Sequence, residues 1–364
     1  MTSIRYALVE IGRTLLILLT TFVIAGVIFW AAGFEVSKVV DGVIRGAITS
    51  AGGLTSTFRW AIPLTLLGLS VIISFRAGFF NIGAQGQFYV GAMAGLAIAL
   101  WFPDWPPIIA IPMAILAGIV AGTLWSLFPG FLRVRFRTEE VLTTLMLNFI
   151  AVLLLQWVTG GPFRDASGTG EVTASWPINL DYRLSTSSGV SASLLIITAL
   201  VVVGSWLLIN RTAFGLQSTL TGRNPLMARW QGIRVERTGL MAFGISGGIA
   251  GLAGALELLG PQGRLVGGFS PDIGFTAVLV GLVGLLSVPG VVLAALFFGG
   301  LSAAVLFLPI VTPLPRSALD LLEGLIALLI TARLYVPGWA LRWLDGRKKA
   351  AGATTAPAAA GGKG

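Results

Sequence analysis

The sequence predicts an all-α integral membrane protein with about ten transmembrane helices, some of them short or broken. Of its 364 residues, 55% are hydrophobic and 11% are charged, whereas about 25% of the residues in an average soluble domain are charged. Several apolar runs reach the roughly 17–25 residues that a membrane-spanning helix requires. Basic residues are also unevenly distributed between these runs. The bilayer is therefore expected to be the solvent for most of the protein surface.

The spans follow the apolar runs in order. The first run, Thr14–Ala32, is 19 residues long, which is too long for a secretory signal, so we expect it to be retained as a span. Two runs are short, Ile62–Phe75 and Ile273–Val288, and are expected to be broken or re-entrant. The remaining runs are Ala84–Phe102, Pro107–Phe128, Val141–Thr159, Val190–Ile209, Thr238–Leu259, Gly290–Leu308 and Ala318–Tyr335.

The charges between the spans predict orientation. With the N-terminus inside, 17 of the 24 basic residues fall on one side of the membrane, so both termini are expected to be cytoplasmic. Residues 1–345 then form the transmembrane domain. Residues 346–364 are rich in Ala and Gly and predict a disordered cytoplasmic tail. The segment Val36–Thr57 is compatible with a short helix at the outer interface, and Gly160–Gly189 is typical of an external loop.

Small and charged residues within the spans predict packing contacts. Glycines occur at 244, 247, 248, 251 and 254, and this spacing favours close approach of helices in lipid. Glu257 lies near the outer end of its span, and we expect it to pair with Arg264 seven residues later.

The composition excludes much of enzyme chemistry. The chain has no cysteine and no histidine, which removes the commonest general base and the commonest metal ligands. We therefore expect no catalytic residue, no metal site and no cofactor. The net charge of +9 is explained by membrane orientation, so no nucleic-acid partner is expected. The phosphate-binding motif G-x-x-x-x-G-K-[ST] is also absent, so any ATPase must be another polypeptide.

Residues 211–237 lie in the cytoplasm in this topology and contain a short helix. Asn224 is a favoured N-cap and Pro225 suits the first helical position, while Gly232 is expected to end the helix. Leu226, Trp230 and Ile233 form one apolar stripe, with arginines beside it. Such a helix either enters a groove on a partner protein or lies on anionic lipid.

The run Gly78–Gln87 (GFFNIGAQGQ) is the candidate substrate pathway. It holds three glycines and three amides, and unsatisfied polar groups in lipid cost several kcal/mol each. A glycine-interrupted short span is a pointer to a transport site. Asn81, Gln85 and Gln87 offer donors and acceptors, and Phe79 and Phe80 offer ring surface. The alternative is a tight turn between packed helices.

A second run echoes the first. Residues 81–83 (Asn-Ile-Gly) are similar to residues 272–274 (Asp-Ile-Gly), and the two runs enter from opposite sides of the membrane in the ten-span topology. This arrangement suggests an inverted repeat of five plus five spans. Asp272 and Phe275 are therefore the counterparts in the second half. Asn148 lies a third of the way into its span and either bonds a neighbouring helix or faces the pathway.

Three runs carry a family resemblance: FRAGFFNIGAQGQ (75–87), TEEVLTTLMLN (138–148) and TGRNPLMARWQGI (221–233). Together they resemble permease subunits of bacterial ABC importers of the simple-sugar and nucleoside type, which are related to branched-chain amino acid permeases. One departure is Gln85, where the family commonly has Glu; the hydrogen bonding is kept and the charge is lost.

The resemblance implies a function and a set of partners. It implies import of nucleosides or simple sugars through the bacterial inner membrane, driven by a cytoplasmic ATP-binding subunit. An external substrate-binding lipoprotein and a second permease subunit, identical or paralogous, are implied as well. The coupling residues it implies are Gly222, Asn224, Pro225, Leu226, Ala228, Trp230, Gly232 and Ile233.

The alternative function is an ion-coupled secondary transporter of a small polar solute. Such transporters usually carry a buried ionisable residue within the membrane, and no predicted span has one at its centre. A lone transporter also has no need for the cytoplasmic segment 211–237. The sequence therefore favours the importer subunit.

Overall fold

A computed structural model describes residues 23–311, apart from residues 25, 32, 51, 168–172 and 185–188, together with residue 324. Over this part of the chain the regular structure is helical, and the only β contacts are two isolated bridges. The predicted all-α class is confirmed there. The α-helices are α1 (Val36–Ile44), α2 (Gly53–Arg76), α3 (Ala84–Trp101), α4 (Pro107–Phe136), α5 (Glu140–Gly160), α6 (Ala192–Arg211), α7 (Ala213–Arg223), α8 (Pro225–Trp230), α9 (Val235–Glu257), α10 (Ile273–Val283) and α11 (Val288–Val311).

Among the described residues, six helices are long and apolar enough to cross a membrane: α2, α4, α5, α6, α9 and α11. The 18-residue helix α3 coincides with another predicted span. Most of the first predicted span lies outside the described residues, although residues 26–31 are helical. The last predicted span, Ala318–Tyr335, and the tail from 346 to 364 also lie outside them. A multi-pass membrane protein is thus confirmed, while the count of ten stays a prediction.

The prediction that Ile62–Phe75 is a short span was wrong. This run is the C-terminal part of α2, which has 24 residues and runs through Pro63 without ending. The first turns contain Thr55, Ser56, Thr57 and Arg59, which dilute the hydropathy and hid the helix start. Thr57 is buried, and its hydroxyl donates to the Ala47 carbonyl at 2.7 Å, while the other three are partly buried.

The prediction of a short helix in the second half is confirmed. Helix α10 has only 11 residues, and it ends at Gly284, after which Leu285 and Leu286 have φ of 54° and 52°. The segment before it, from Leu258 to Asp272, is irregular but largely buried; Leu265 is 0% exposed and Phe269 is 6% exposed. An irregular stretch of this kind needs its backbone groups satisfied by the surrounding protein.

Helices α2 and α9 form the centre of the fold. About 78% of the most apolar part of each is buried, against 22% for α4 and α6. The predicted close packing occurs between α9 and α4: a Cβ placed on Gly122 would come within 2.3 Å of the Gly247 carbonyl oxygen, and one on Gly251 within 2.1 Å of the Gly118 oxygen. The glycines therefore let these two backbones touch.

The predicted loop between 160 and 189 is confirmed over its described residues, which hold one 3-10 turn, Leu180–Tyr182. The predicted helix in Val36–Thr57 is α1, followed by a π-helical turn, Arg45–Thr49.

Candidate functional site

Four predicted pathway residues form one cluster, called here the amide cluster: Asn81, Gln85, Gln87 and Asn148. Each side chain is at most 4% exposed. Asn81 lies in the break between α2 and α3, Gln85 and Gln87 lie in the first turn of α3, and Asn148 lies on α5. These amides bond groups on α3, on α9 and in the segments before α3 and α10. Buried amides are costly unless they are hydrogen-bonded, and these are.

Asn81 uses its full hydrogen-bonding capacity within the protein. Its Nδ2 donates to Gln87 Oε1 at 3.0 Å and to Ser246 Oγ at 2.9 Å. Its Oδ1 accepts from the Gly83 backbone N–H at 3.0 Å and from Gln87 Nε2 at 2.9 Å. An amide side chain has two donors and two acceptor lone pairs, so all four positions are filled. Asn81 thus fastens the break to the middle of α9.

Gln85 connects the starts of two helices. Its Nε2 donates to the Ser270 carbonyl at 3.2 Å, and its Oε1 accepts from the Gly274 backbone N–H at 2.5 Å. Gly274 allows this approach, because a Cβ on it would lie 2.5 Å from the Gln85 backbone nitrogen. The two similar runs seen in the sequence therefore meet in space, at the first turns of α3 and α10.

Asn148 bonds a neighbouring segment, which was one of its two predicted roles. Its Oδ1 accepts from the Gly86 backbone N–H at 2.8 Å, and its Nδ2 donates to the Ile82 carbonyl at 2.9 Å. Together with the contacts of Asn81 and Gln85, these bonds are those of a tight, internally satisfied turn. The assignment of the amides to the substrate pathway stays a prediction.

The other predicted pathway residues differ in exposure. Phe79 is only 4% exposed; the Arg133 guanidinium lies 3.8 Å from its ring centroid, and a Cβ on Gly239 would collide with the ring. Phe80 is 47% exposed and Phe275 is 39% exposed. Asp272 is exposed as well. Of these residues, therefore, only Phe80 and Phe275 offer exposed ring surface, and Asp272 offers an exposed carboxylate.

Two charged residues that sequence reasoning did not assign to a site hold the loop around Phe79 and Phe80. Arg133 pairs with Glu140 and donates to the Gly78 carbonyl at 3.2 Å. Glu140 also accepts from the Phe80 backbone N–H at 3.3 Å. The available signal was an acidic residue at the start of a predicted helix, seven positions after an arginine.

The predicted pair of Glu257 with Arg264 was wrong. Glu257 is 3% exposed and pairs with Arg59 at 2.5 Å, across 198 positions of sequence. Arg59 lies in the polar first turns of α2, which the hydropathy pattern had left outside the span. Arg264 follows the turn at Gly263 (φ 66°) and is exposed.

The short helix predicted within residues 211–237 is confirmed as α8. Asn224 caps it by accepting from the Met227 backbone N–H at 3.1 Å, and Pro225 occupies the first position. Gly232 follows the helix with φ of 81°. A second helix, α7, precedes it and was not predicted; Thr212 caps this helix by accepting from the Gly215 N–H at 3.3 Å.

Three large apolar side chains of α8 are exposed and are called here the coupling tip: Leu226 at 64%, Met227 at 54% and Trp230 at 83%. Ala228 on the opposite side is 1% exposed. The placement of Ile233 on the same stripe was wrong. Helix α8 ends at Trp230, and Ile233 turns inward to pack on the small core that contains Phe79 and Phe243.

Residues 211–237, called here the coupling segment, are attached to the membrane helices by close contacts. A Cβ on Gly222 would lie 2.1 Å from the Arg76 carbonyl oxygen. Arg76 also donates to Thr219 Oγ1 at 3.2 Å and to the Leu286 carbonyl at 3.1 Å. One arginine thus connects α7, the end of α2 and the break after α10. Sequence reasoning used Arg76 only for orientation.

Comparison with known proteins identifies the family. The sequence profile of the branched-chain amino acid transport system permease components matches residues 53–331. The chain belongs to this family. It is therefore a transport permease component and not an enzyme, and the alternative of an ion-coupled secondary transporter is not favoured.

Three curated relatives are similar along most of their length. The guanosine ABC transporter permease protein NupP of Bacillus subtilis is 32% identical over 90% of this chain and 93% of that protein. The glucose ABC transporter permease protein TsgB13 of Haloferax volcanii is 32% identical, over 89% and 88%. The nucleoside ABC transporter permease protein NupB of Lactococcus lactis is 31% identical, over 76% and 79%.

Proposed function

We propose that this permease imports nucleosides or simple sugars and is driven by ATP hydrolysis on a separate cytoplasmic subunit. The names of the relatives support the substrate class, since they transport guanosine, nucleosides or glucose. An external binding lipoprotein delivers the substrate, and a second permease, identical or paralogous, completes the membrane unit. The protein resides in the bacterial inner membrane.

The observation that carries this proposal is the coupling tip. Leu226, Met227 and Trp230 project from a capped helix that is fixed to the membrane core by Gly222. Exposed aromatic and aliphatic side chains on a rigid helix are typical anchors for a groove on a partner protein. The predicted coupling residues then divide by role. Trp230 and Leu226 enter the groove, Asn224, Pro225 and Gly232 shape the helix, and Ala228, Ile233 and Gly222 attach it to the permease.

We also propose a division of labour in the pathway. Phe80, Asp272 and Phe275 face the solute, because they are the exposed members of the predicted set. Phe79 and the amide cluster, which are buried, hold these three residues in position. The equivalent starts of α3 and α10, joined by Gln85 and Gly274, support an inverted repeat of five plus five spans, and a symmetric unit of this kind places the pathway where its two breaks meet.

Reconstitution tests the function. The permease, its ATPase, the second permease and the binding protein are placed in proteoliposomes, and uptake of labelled guanosine and glucose is compared with and without ATP. We expect ATP-dependent uptake of one class, with the other class failing to compete. Uptake driven by an ion gradient in the absence of ATP would contradict the proposal.

Cysteine labelling tests the proposed topology with cytoplasmic termini. The chain has no cysteine, and both Ser167 and Gln217 are exposed. In intact cells we expect Ser167→Cys to react with an impermeant maleimide, whereas Gln217→Cys should react only after the membrane is permeabilised. The reverse pattern would require inversion of the topology.

A further inference from the structure

A cavity of about 500 Å³ lies between the coupling segment and the membrane helices. Its walls come from the end of α2 and the loop after it, from the C-terminal end of α4, and from α7, α8 and the start of α9. The volume is within the range of about 300–1,000 Å³ that is typical of small-molecule sites. None of the contacts described above fills it.

The lining of this cavity is basic. Arg133, Arg137 and Arg229 line it, and Glu236 is the acidic residue among them. Arg229 pairs with Glu236 at 2.5 Å, and Arg133 pairs with Glu140. Arg137 has no hydrogen-bond or ion-pair partner for its guanidinium among the described residues. Since Arg133 and Arg229 are each matched by one carboxylate, the cavity keeps the positive charge of Arg137.

Two further groups indicate what kind of ligand suits the cavity. Thr221 is 1% exposed, and its hydroxyl has no hydrogen-bond partner within the described part of the chain, although buried hydroxyls are normally bonded. Phe80 lines the cavity with 47% of its surface exposed. A free guanidinium, a free hydroxyl and an open ring face are thus gathered in one space.

We infer that this cavity binds a phosphate monoester, such as a nucleotide, whose phosphate bonds Arg137 and Thr221 and whose attached ring packs on Phe80. A guanidinium forms short, charge-assisted bonds with phosphate oxygens, and a hydroxyl completes the donor set. Ring stacking on Phe80 adds contact area for a base. We expect a soluble ligand, because the cavity lies beside the coupling segment, on the side of the membrane that we propose to be cytoplasmic.

This inference rests on the proposed function for its meaning. Nucleosides and sugars are neutral, so the transported solute, which Phe80 also faces in the proposed pathway, does not require a basic site. Phosphorylation of an imported nucleoside or sugar by a kinase would produce this class of anion in the cytoplasm. A ligand held between Phe80 and the coupling segment would restrict the contact of Gly222 with the end of α2. The site therefore offers feedback from accumulated product to the importer.

The test measures binding to the assembled complex in nanodiscs of neutral lipid. Calorimetry measures the binding of three probes: guanosine 5′-monophosphate, guanosine and inorganic phosphate. We expect guanosine 5′-monophosphate to bind at least about tenfold more tightly than either of the others, because only it engages both the charge and the ring. Equal binding of guanosine would overturn the proposal, and so would the absence of nucleotide binding.

Variants locate the site. Arg137→Gln should weaken nucleotide binding about tenfold or more, and Thr221→Val about three- to tenfold, since each removes a donor to phosphate. Arg135→Gln is the matched control: Arg135 is also exposed and lies two positions away, but it does not line the cavity. Unchanged binding in Arg137→Gln protein with a wild-type melting temperature would overturn the assignment.

Two further measurements separate this inference from other outcomes. Adding phosphatidylglycerol to the nanodiscs should not displace the nucleotide; displacement would show that a lipid headgroup occupies the cavity, and the proposal of a soluble ligand would fail. ATP-driven uptake is measured on the same preparations. Normal uptake without nucleotide binding refutes the feedback site alone, whereas failure to assemble or transport refutes the proposed function.

Discussion

The amide cluster and the coupling tip are opposite solutions to the burial of side chains. In the cluster, polar side chains lie inside the protein and every hydrogen-bonding position of Asn81 is filled. At the tip, the apolar side chains of Leu226, Met227 and Trp230 are left outside. Both contradict the simple rule of apolar residues inside and polar residues outside.

The difference indicates which of the two regions we expect to bind a partner. Asn81 has no unmet hydrogen-bonding capacity, and each other amide of the cluster is bonded through both its nitrogen and its oxygen, which fixes the geometry of the neighbouring segments. Covering the exposed apolar side chains of a rigid helix with another surface lowers the free energy, because apolar area is removed from water. We therefore expect the cluster to act within the chain and the coupling tip to contact a partner protein. Arg76 and Gly222 connect the two regions through the end of α2.

The largest expected effect is at the tip. Trp230→Ala should remove the main anchor and cost about 2 kcal/mol or more of binding, which weakens association with the ATPase roughly 30-fold or more. Co-purification and substrate-stimulated ATP hydrolysis measure this loss. Trp157→Ala is the control, since Trp157 is 64% exposed on α5, far from the tip in sequence. Equal losses in both variants would leave the tip as a lipid-surface element.

The link between the two regions can be broken separately. Gly222→Ala places a Cβ where the Arg76 carbonyl oxygen would be 2.1 Å away, and overpacking of this kind typically costs about 1–3 kcal/mol. We expect the ATPase still to bind, while uptake per ATP hydrolysed falls. Gly204→Ala is the control, because no atom lies within 4 Å of its added Cβ. Unchanged coupling in Gly222→Ala would show that the contact transmits nothing.

We expect a substitution in the amide cluster to lower the stability of the protein. Asn81→Ala leaves the Gly83 N–H, Gln87 and Ser246 without this partner, so the free energy of unfolding should fall by about 1–3 kcal/mol. Thermal unfolding in detergent measures it. Asn210→Ala serves as control, because Asn210 is exposed and bonds only the Trp206 carbonyl of its own helix. A loss of uptake without any loss of stability would instead assign Asn81 to direct solute contact.

The smallest expected effect is at the pathway face. Phe80→Ala should change stability by less than about 0.5 kcal/mol, because the ring is nearly half exposed. Stacking on an aromatic ring is worth about 0.5–1.5 kcal/mol, so uptake should fall roughly two- to twelvefold. Initial rates in proteoliposomes measure this. Normal uptake by Phe80→Ala protein would move the pathway away from this face.

Local chemistry explains which parts of the site could be predicted. The start of α8 was found because Asn224, Pro225 and Gly232 act on their own backbone within a few residues. The same local reasoning failed for Ile233, because it extended the helical periodicity past Trp230, where α8 ends. It also missed the start of α2, where the partly buried Arg59 pairs with the buried Glu257, 198 residues away.

The sequence by itself determined the all-α membrane class, the capped helix α8, the short helix α10 and the family resemblance, because hydropathy, caps and motifs are encoded over short stretches. Only the tertiary structure decided which polar groups are satisfied and which apolar groups are not. Gln85 was ambiguous until Gly274 was found 2.5 Å from its Oε1. Arg76 became a connector only when the Thr219 hydroxyl and the Leu286 carbonyl met its guanidinium. Such partners lie far apart in sequence, so packing alone assigns them.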